Sequence, residues 1–361
     1  MPSTTVFLNE ATHYNVDMLN EIYSLNINVT AVYLKKENNY GYQAHINKRL
    51  PEINFKVIYA NSKASQLLLL TSKELWNSDR TLIWGYFPRV KILLILRAWI
   101  SNKKLYIFSD SFPQKIGYNK LLQNIFRKFV LNFSEKVLVS GKQAYNEAIN
   151  TGISKNKLEI MCYWFDSDRI KNKLKYARKP DDIFNNYPGA KIFVSSQLIS
   201  RKGIDDLLYA LSNLTNNNYC CKIEGTGPDE LKLKALVSEL KLNHKVEFIG
   251  YSDTFDHYYN ILNSDIVCVP SKYDPWSIVV EEAMCLKKIV VATDNVGCAV
   301  HNIIDGENGF IVNSNDPNDL SKALQFVISN DNIWNDISAN AVDSYNERSL
   351  EFTRTIKRLF L

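Results

Sequence analysis

The stretch Tyr273-Asp274-Pro275-Trp276-Ser277-Ile278-Val279-Val280-Glu281-Glu282-Ala283-Met284 decides how the chain is read. It follows the apolar run Asp265-Ile266-Val267-Cys268-Val269-Pro270, which reads as a buried strand ending at a proline. Pro275 suits the first turn of a helix, where its missing N–H costs nothing. The pattern therefore predicts strand, loop and helix, with Asp274 at the junction and Glu282 one helical stretch further on. Along a helical path the two carboxylates would stand about 12 Å apart. Paired carboxylates that cleave a glycosidic bond need roughly 5–9.5 Å. The wider spacing suits two contacts on one extended ligand along a helix N-terminus, where N–H groups and the dipole favour a phosphate. The same residues also read plainly as an N-cap, Asp274, and a solvated helix carboxylate, Glu282.

Outward from this stretch the same alternation repeats. Strands are predicted at 191–195, 219–224, 246–249, 265–269, 289–292 and 309–312, with helices near 203–213, 228–240, 254–263, 277–286, 316–328 and 333–344. Earlier in the chain, strands fall at 4–9, 27–34, 55–59, 81–85, 105–108 and 136–139, with helices between most of them. The β-α-β opening implies a parallel sheet with a right-handed crossover. Its first loop, Glu10–Asn15, has no glycine, which argues against a dinucleotide-type phosphate cradle there. Residues 36–53 are polar and irregular. The periodicity breaks again between Asp166 and Gly189, in a charged stretch closed by Asn185-Asn186-Tyr187-Pro188-Gly189, and this is the expected linker. The division expected is an N-terminal domain 1–168, a linker 169–189, a C-terminal domain 190–344 and a terminal helix 345–361.

Composition narrows the classes. A chain of 361 residues suits two domains. The six cysteines form no C-x-x-C pair and mostly lie in apolar runs, as reduced core residues do. The five histidines lack metal-ligand spacing, so no metal is expected. Met1-Pro2-Ser3-Thr4-Thr5 lacks a basic n-region, so no signal peptide is expected, and no apolar run reaches the roughly 20 residues of a membrane span. Charge is uneven: residues 1–180 hold 27 Lys+Arg against 13 Asp+Glu, whereas 181–361 hold 16 against 25. A basic half points to an anionic partner such as a membrane surface, a phosphorylated acceptor or a nucleic acid, or to an ordinary solvated face. Two helices, 89–100 and 118–133, combine apolar faces with Arg89, Lys91, Arg97, Lys120, Arg127 and Lys128. They read either as bilayer-surface helices or as helices packed on the sheet with solvated cations. Nucleic acid is not expected as a partner, because no zinc finger or aromatic-glycine strand signature occurs.

Four loops follow strand ends in the second half, where open α/β sheets bind ligands. Ser196-Gln197-Leu198-Ile199-Ser200-Arg201-Lys202-Gly203 puts two adjacent cations before a helix. Glu224-Gly225-Thr226-Gly227-Pro228 allows close backbone approach. The third is the 273–284 stretch, and the fourth is Val296-Gly297-Cys298-Ala299, with Asp305–Phe310 downstream.

In this order and spacing the loops resemble the retaining glycosyltransferases of family four, closely over the second half and in general layout over the first. The resemblance implies a GT-B fold: two doubly wound Rossmann-like α/β domains facing across a cleft, the C-terminal helix returning to the N-domain. It implies that the C-domain binds a nucleotide sugar, most readily UDP-linked, as donor substrate with no cofactor, and the N-domain an acceptor. Glu282 would hold the ribose with Gly225 and Gly227 nearby. Lys202 and Arg201, with the backbone at Ser277 and Ile278, would bind the diphosphate. Asp274 would face the donor sugar as a catalytic group. Gln197 stands where the family has an arginine, Asp274 is a methylene shorter than the family glutamate, and Trp276-Ser277 replaces the frequent Phe-Gly. The N-domain histidine of many members has no clear match. Asp110, in Ser109-Asp110-Ser111 after a strand, lies about where it would be, as an acceptor-side carboxylate or as a turn residue.

The expected function is transfer of a sugar to a hydroxyl of a lipid-linked saccharide in bacterial surface-polysaccharide assembly. The enzyme would be metal-independent and peripheral at the cytoplasmic face of the cell membrane. The alternative is a nucleotide-sugar-binding partner subunit with little or no activity, motivated by Asp274 and Gln197.

Overall fold

The computed structural model describes residues 1–35, 52–85, 89–112, 118–174, 184, 187–216, 218–252 and 254–361, with backbone alone at 118–123, 173 and 254–255. Most of the 36–53 loop and residues 175–183, 185 and 186 of the expected linker lie outside the described residues.

Two compact units emerge: Met1–Phe165 with Ser349–Leu361, and Asp166–Arg348. In the first, β1 (Ser3–Leu8), α1 (His13–Ser24), β2 (Asn28–Tyr33), β3 (Lys56–Tyr59), α2 (Lys63–Leu68), α3 (Lys73–Trp76), β4 (Arg80–Trp84), α4 (Arg89–Ile100), β5 (Lys104–Ser109), α5 (Tyr118–Asn132), β6 (Lys136–Val139), α6 (Lys142–Asn150) and β7 (Leu158–Ile160) follow in order. The second begins with α7 (Ser167–Leu174) and continues β8 (Ala190–Ser195), α8 (Ile204–Ser212), β9 (Tyr219–Glu224), α9 (Glu230–Glu239), β10 (Val246–Gly250), α10 (Thr254–Asn263), β11 (Ile266–Val269), α11 (Ile278–Cys285), β12 (Ile289–Thr293), α12 (Gly297–Asn302), β13 (Phe310–Val312) and α13 (Pro317–Ser329). A final helix, α14 (Trp334–Phe360), runs through the boundary between the units.

Both sheets are parallel throughout. Their orders are β3-β2-β1-β4-β5-β6-β7 and β10-β9-β8-β11-β12-β13. Each is a doubly wound sheet whose order reverses beside its first strand, between β1 and β4 and between β8 and β11. The central strands of the second sheet are buried on both faces; β11 and β12 have no exposed residue. Such strands read as continuous apolar runs, which is why Ile266–Val269 and Ile289–Thr293 are visible in the sequence. Helix α8 buries Ile204, Leu207, Leu208 and Leu211 at the i, i+3, i+4, i+7 spacing of an amphipathic face. Asp316 caps α13 by accepting from the N–H groups of Asn318 and Asp319, with Pro317 opening the helix.

The structure departs from the sequence expectation at several places. β7 and α12 were not expected; they are three and six residues long, too short for a periodic signal. Residues 167–174, expected as the end of the N-terminal domain and the start of the linker, form a helix of the second unit. The expected break at 344/345 is absent, because Ala341, Tyr345, Phe352, Ile356 and Leu359 sustain one buried face along α14. Within the first unit the end of α14 is fastened by Tyr106, whose hydroxyl donates to the Leu359 carbonyl at 3.1 Å, and by Trp164, which stacks on Phe352 at 5.7 Å.

The basic-helix expectation is corrected in detail. Lys91 is fully buried and donates to the Trp84 carbonyl, and burial pushes its pKa down to about 7. Arg97 donates to the Leu70 carbonyl at 3.1 Å and lies over the Trp76 ring. Arg127 is buried as well. Lys91 and Arg97 serve the unit's interior, because a long stem can thread between side chains and deliver its head to a carbonyl. Lys120 lies outside the described side chains. Among the described residues no helix is long and apolar enough to cross a membrane.

Candidate functional site

The reversal point of the second sheet brings together the loops after β8 and β11, and with them the two charges singled out in the sequence. Lys202 Nζ donates to Asp274 Oδ2 at 2.5 Å, with side chains only 13% and 10% exposed. Local chemistry forces this approach. Gly203 has φ +64°, and a Cβ on it would stand 2.0 Å from the Pro270 carbonyl oxygen, so only glycine lets the two loops touch. Arg201 Nη1 donates to the Tyr273 carbonyl at 3.0 Å, and its backbone carbonyl accepts from Lys272. Its guanidinium thus braces the 273–284 loop from an exposed position, and Lys202 is the cation turned inward. Lys272 is held by Asp205 and Asp206 at 3.0 and 3.4 Å.

Asp274 is not the cap of the following helix. α11 starts at Ile278 with Ser277 in the cap position, so Pro275 also precedes the first turn. The Asp274 backbone bridges instead to the strand-like segment at Val296: its N–H donates to the Asn295 carbonyl and its carbonyl accepts from Gly297, both at 2.9 Å. Pinned on both sides, the residue has its carboxylate aimed at Lys202. Ser277 has φ +68°, a left-handed conformation that costs a residue with a Cβ about 1–2 kcal/mol.

Gly225 and Gly227 answer to packing. A Cβ on either would stand 1.8 Å from the Ser196 carbonyl oxygen or 2.3 Å from that of Leu198, so both glycines let the β9 loop lie against the β8 loop.

Glu282 is 2% exposed and far from a solvated helix carboxylate. Its Oε1 accepts from the Tyr258 hydroxyl at 3.1 Å, and its Oε2 lies 3.1 Å from His257 Nε2. On the other side of that imidazole, Nδ1 lies 2.7 Å from Glu224 Oε1, which also accepts from Ser195 Oγ at 2.8 Å. Sequence reasoning missed His257, Tyr258 and the role of Glu224. Glu224 ends β9 and the other two lie on α10, and neither spacing nor residue type marks them. Glu281 points elsewhere, toward Trp276 Nε1 and Asn302 Nδ2, both at 3.4 Å; burial pushes its carboxyl up to about 8. Among the described residues no group of three or more His, Cys, Asp or Glu is placed to hold a metal.

Every side chain of this site falls inside one stretch with known relatives. Residues 177–343 match the family described as Glycosyl transferases group 1. Curated relatives extend the likeness. An uncharacterized glycosyltransferase of Methanocaldococcus jannaschii is 25% identical over 64% of this chain and 61% of its own. One of Haemophilus influenzae is 32% identical over 47% of this chain and 50% of its own. The capsular polysaccharide biosynthesis glycosyltransferase CapM of Staphylococcus aureus is 23% identical over 70% and 68%. The chain thus spans half to three-fifths of the length of the first two. HepE of Anabaena, solved in complex with UDP and glucose, superposes with a TM-score of 0.76 over 98% of each chain at 17% identity, which shows a common two-unit GT-B fold.

Outside the group 1 match, the first unit has its own concavity at its reversal point. A cavity of about 230 Å³ opens at the ends of β1, β4 and β5, lined by Asn9, Glu10, Tyr14, Trp84, Asp110 and Tyr163 among others. Asp110 Oδ2 accepts from the Tyr163 hydroxyl at 3.2 Å. Burial first, and the Asp110 charge second, hold that phenol well above its usual pKa. Trp84, Phe108 and Tyr14 pack on Tyr163 with ring centroids 5.9, 5.3 and 5.0 Å away. Asp110 is therefore a cavity residue rather than a simple turn residue.

Proposed function

We propose that the chain is a retaining, metal-independent glycosyltransferase that moves a sugar from a nucleoside-diphosphate sugar, most readily UDP-linked, to an acceptor hydroxyl. The observation that carries this reading is the Lys202–Asp274 pair at the reversal point of a sheet within the group 1 match. A leaving diphosphate needs its charge stabilised. Lys202 supplies the positive charge a metal would otherwise bring, and the N–H groups at the start of α11, Ser277 and Ile278, add theirs. Asp274 exchanges its lysine for the donor sugar, Glu282 accepts from the ribose hydroxyls, and Arg201 keeps the 273–284 loop in place. The departing phosphate oxygen takes the acceptor proton.

The acceptor belongs to the first unit's cavity. Aromatic faces bind the C–H faces of sugars, and carboxylates accept from their hydroxyls. Asp110 beside Tyr14, Trp84 and Tyr163 fits a saccharide. The similarity to CapM favours surface polysaccharide, with a lipid-linked acceptor and a peripheral position at the cytoplasmic face of the cell membrane. The outer surface of α4 and α5 suits that position. Trp99, Ile100, Ile125 and Phe129 are 55–70% exposed, Phe133 packs between Trp99 and Phe129, and Lys128 lies beside them. Membrane contact would then run through this aromatic face with Lys128, and not through Lys91, Arg97 or Arg127.

The test is turnover of UDP-, GDP- and ADP-sugars with saccharide acceptors, with product configuration read by NMR. Retained configuration and loss of activity in Asp274→Asn are expected. Donor binding without turnover of any pairing would favour the partner-subunit alternative.

A further inference from the structure

Five residues from four elements form a continuous hydrogen-bond chain beneath Glu282: Ser195 on β8, Glu224 on β9, His257 and Tyr258 on α10, and Glu282 on α11. Glu224, His257 and Glu282 are each no more than 3% exposed. Both imidazole nitrogens face a carboxylate oxygen. An ionised carboxylate only accepts, so each of these contacts is attractive only where a hydrogen lies between the atoms. A neutral ring has one N–H and would set a lone pair against a carboxylate on its other side. The cluster is therefore completed by one proton beyond a neutral ring and two carboxylates. Glu224, held by Ser195, draws the Nδ1 hydrogen, and the Nε2 hydrogen goes to Glu282. Tyr258 anchors the other oxygen of the same carboxylate. With one anchor on each oxygen, the carboxylate plane of Glu282 is fixed and cannot turn about its last torsion.

We infer that His257, backed by Glu224 and assisted by Tyr258, is a positioning residue that sets the Glu282 carboxylate for the vicinal ribose diol of the nucleotide. The inference rests on the ribose role of Glu282 in the proposed function. It assigns ribose recognition to a buried relay rather than to the glutamate alone. Two hydroxyls on adjacent carbons need two oxygens at a set angle, and a carboxylate free to rotate would present that angle only part of the time.

The test compares dissociation constants of UDP and 2′,3′-dideoxy-UDP by calorimetry, with ADP and GDP and their dideoxy forms in parallel. The wild-type protein should prefer the diol. His257→Gln donates at one end only, and should weaken diol binding about tenfold while leaving the dideoxy affinity within about twofold, so the preference collapses. Tyr258→Phe removes one hydroxyl from the chain and should lower the preference in the same direction by less, which keeps the test decisive if His257→Gln fails to fold. Glu224→Gln lets a neutral ring accept at Nδ1 and still donate at Nε2, and should retain the preference. An unchanged diol preference in folded His257→Gln and Tyr258→Phe proteins overturns the positioning role, as does an equal weakening of both ligands, which marks a structural effect. Failure of the wild type to bind any of the three diphosphates overturns the donor reading itself, a result distinct from both.

Discussion

Neutralising Asp274 separates what the ion pair does for stability from what it does for the ligand. Removing one partner of a fully buried pair costs about 3–5 kcal/mol, since the other charge is left without compensation. Here both side chains keep some exposure, 13% and 10%, so solvent screens part of that cost. About 2–3 kcal/mol is expected for Asp274→Asn, a fall of roughly 4–12 °C in melting temperature for a unit of this size. The double variant Lys202→Met/Asp274→Asn should recover at least about 1 kcal/mol relative to the sum of the singles. Ligand reverses the ranking. In the wild type a diphosphate competes with Asp274 for Lys202, whereas in Asp274→Asn it meets an uncompensated cation. UDP should therefore raise the melting temperature of Asp274→Asn more than that of the wild type, through binding to the folded state alone. In Lys202→Met the UDP shift should nearly vanish. Differential scanning fluorimetry across a UDP titration reads all of this. Additive single costs, or a UDP shift in Asp274→Asn no larger than in the wild type, would refute the claim that the pair is a preformed diphosphate site.

Three further outcomes follow from the same geometry. Ser277→Gly should stabilise the second unit by about 1 kcal/mol by removing a Cβ from a left-handed residue, read by urea denaturation; a destabilisation would mean the serine side chain anchors the loop. Glu281→Gln should flatten the pH dependence of stability. Burial raises the folded carboxyl to about 8, so stability is greatest below its unfolded pKa and declines as pH rises from about 4.5 toward 8. Melts at pH 5 and 8 that differ equally in both proteins would contradict this. For the membrane face, Trp99→Ser with Phe129→Ser should reduce flotation with anionic liposomes severalfold, and Lys128→Gln should mainly steepen the salt dependence; wild-type protein that fails to float with anionic liposomes at low salt would refute membrane contact.

How legible the molecule is from its sequence depends on the range of the interaction. Strands such as Ile266–Val269 and helices such as Ile204–Ser212 declare themselves because burial imposes a local period. The loops at strand ends are legible for the same reason, and Lys202 and Asp274 meet because the sheet order reverses where their loops lie. The Asp274 cap failed as an inference because its backbone is taken by Asn295 and Gly297, far along the chain, and local cap preference carries no trace of that. His257 lies 33 residues from Glu224 and 25 from Glu282; only the fold makes them neighbours. Lys91 and Arg127 misled because a cation on an amphipathic pattern looks solvated until its buried surroundings are known.

The end of α14 has a consequence for how the molecule is made. Phe352, Ile356 and Phe360 complete the core of the first unit, Phe360 meeting Tyr106 edge-on. Ribosomes deliver this segment only after the whole of the second unit. At about 5–20 residues per second the interval is roughly ten to forty seconds. Throughout it the first sheet stands with its Tyr106 and Trp164 side uncovered, while the second unit is still being made. The half synthesised first is therefore the half finished last, and a nascent chain stalled near residue 348 would offer chaperones an apolar face that the mature protein never shows.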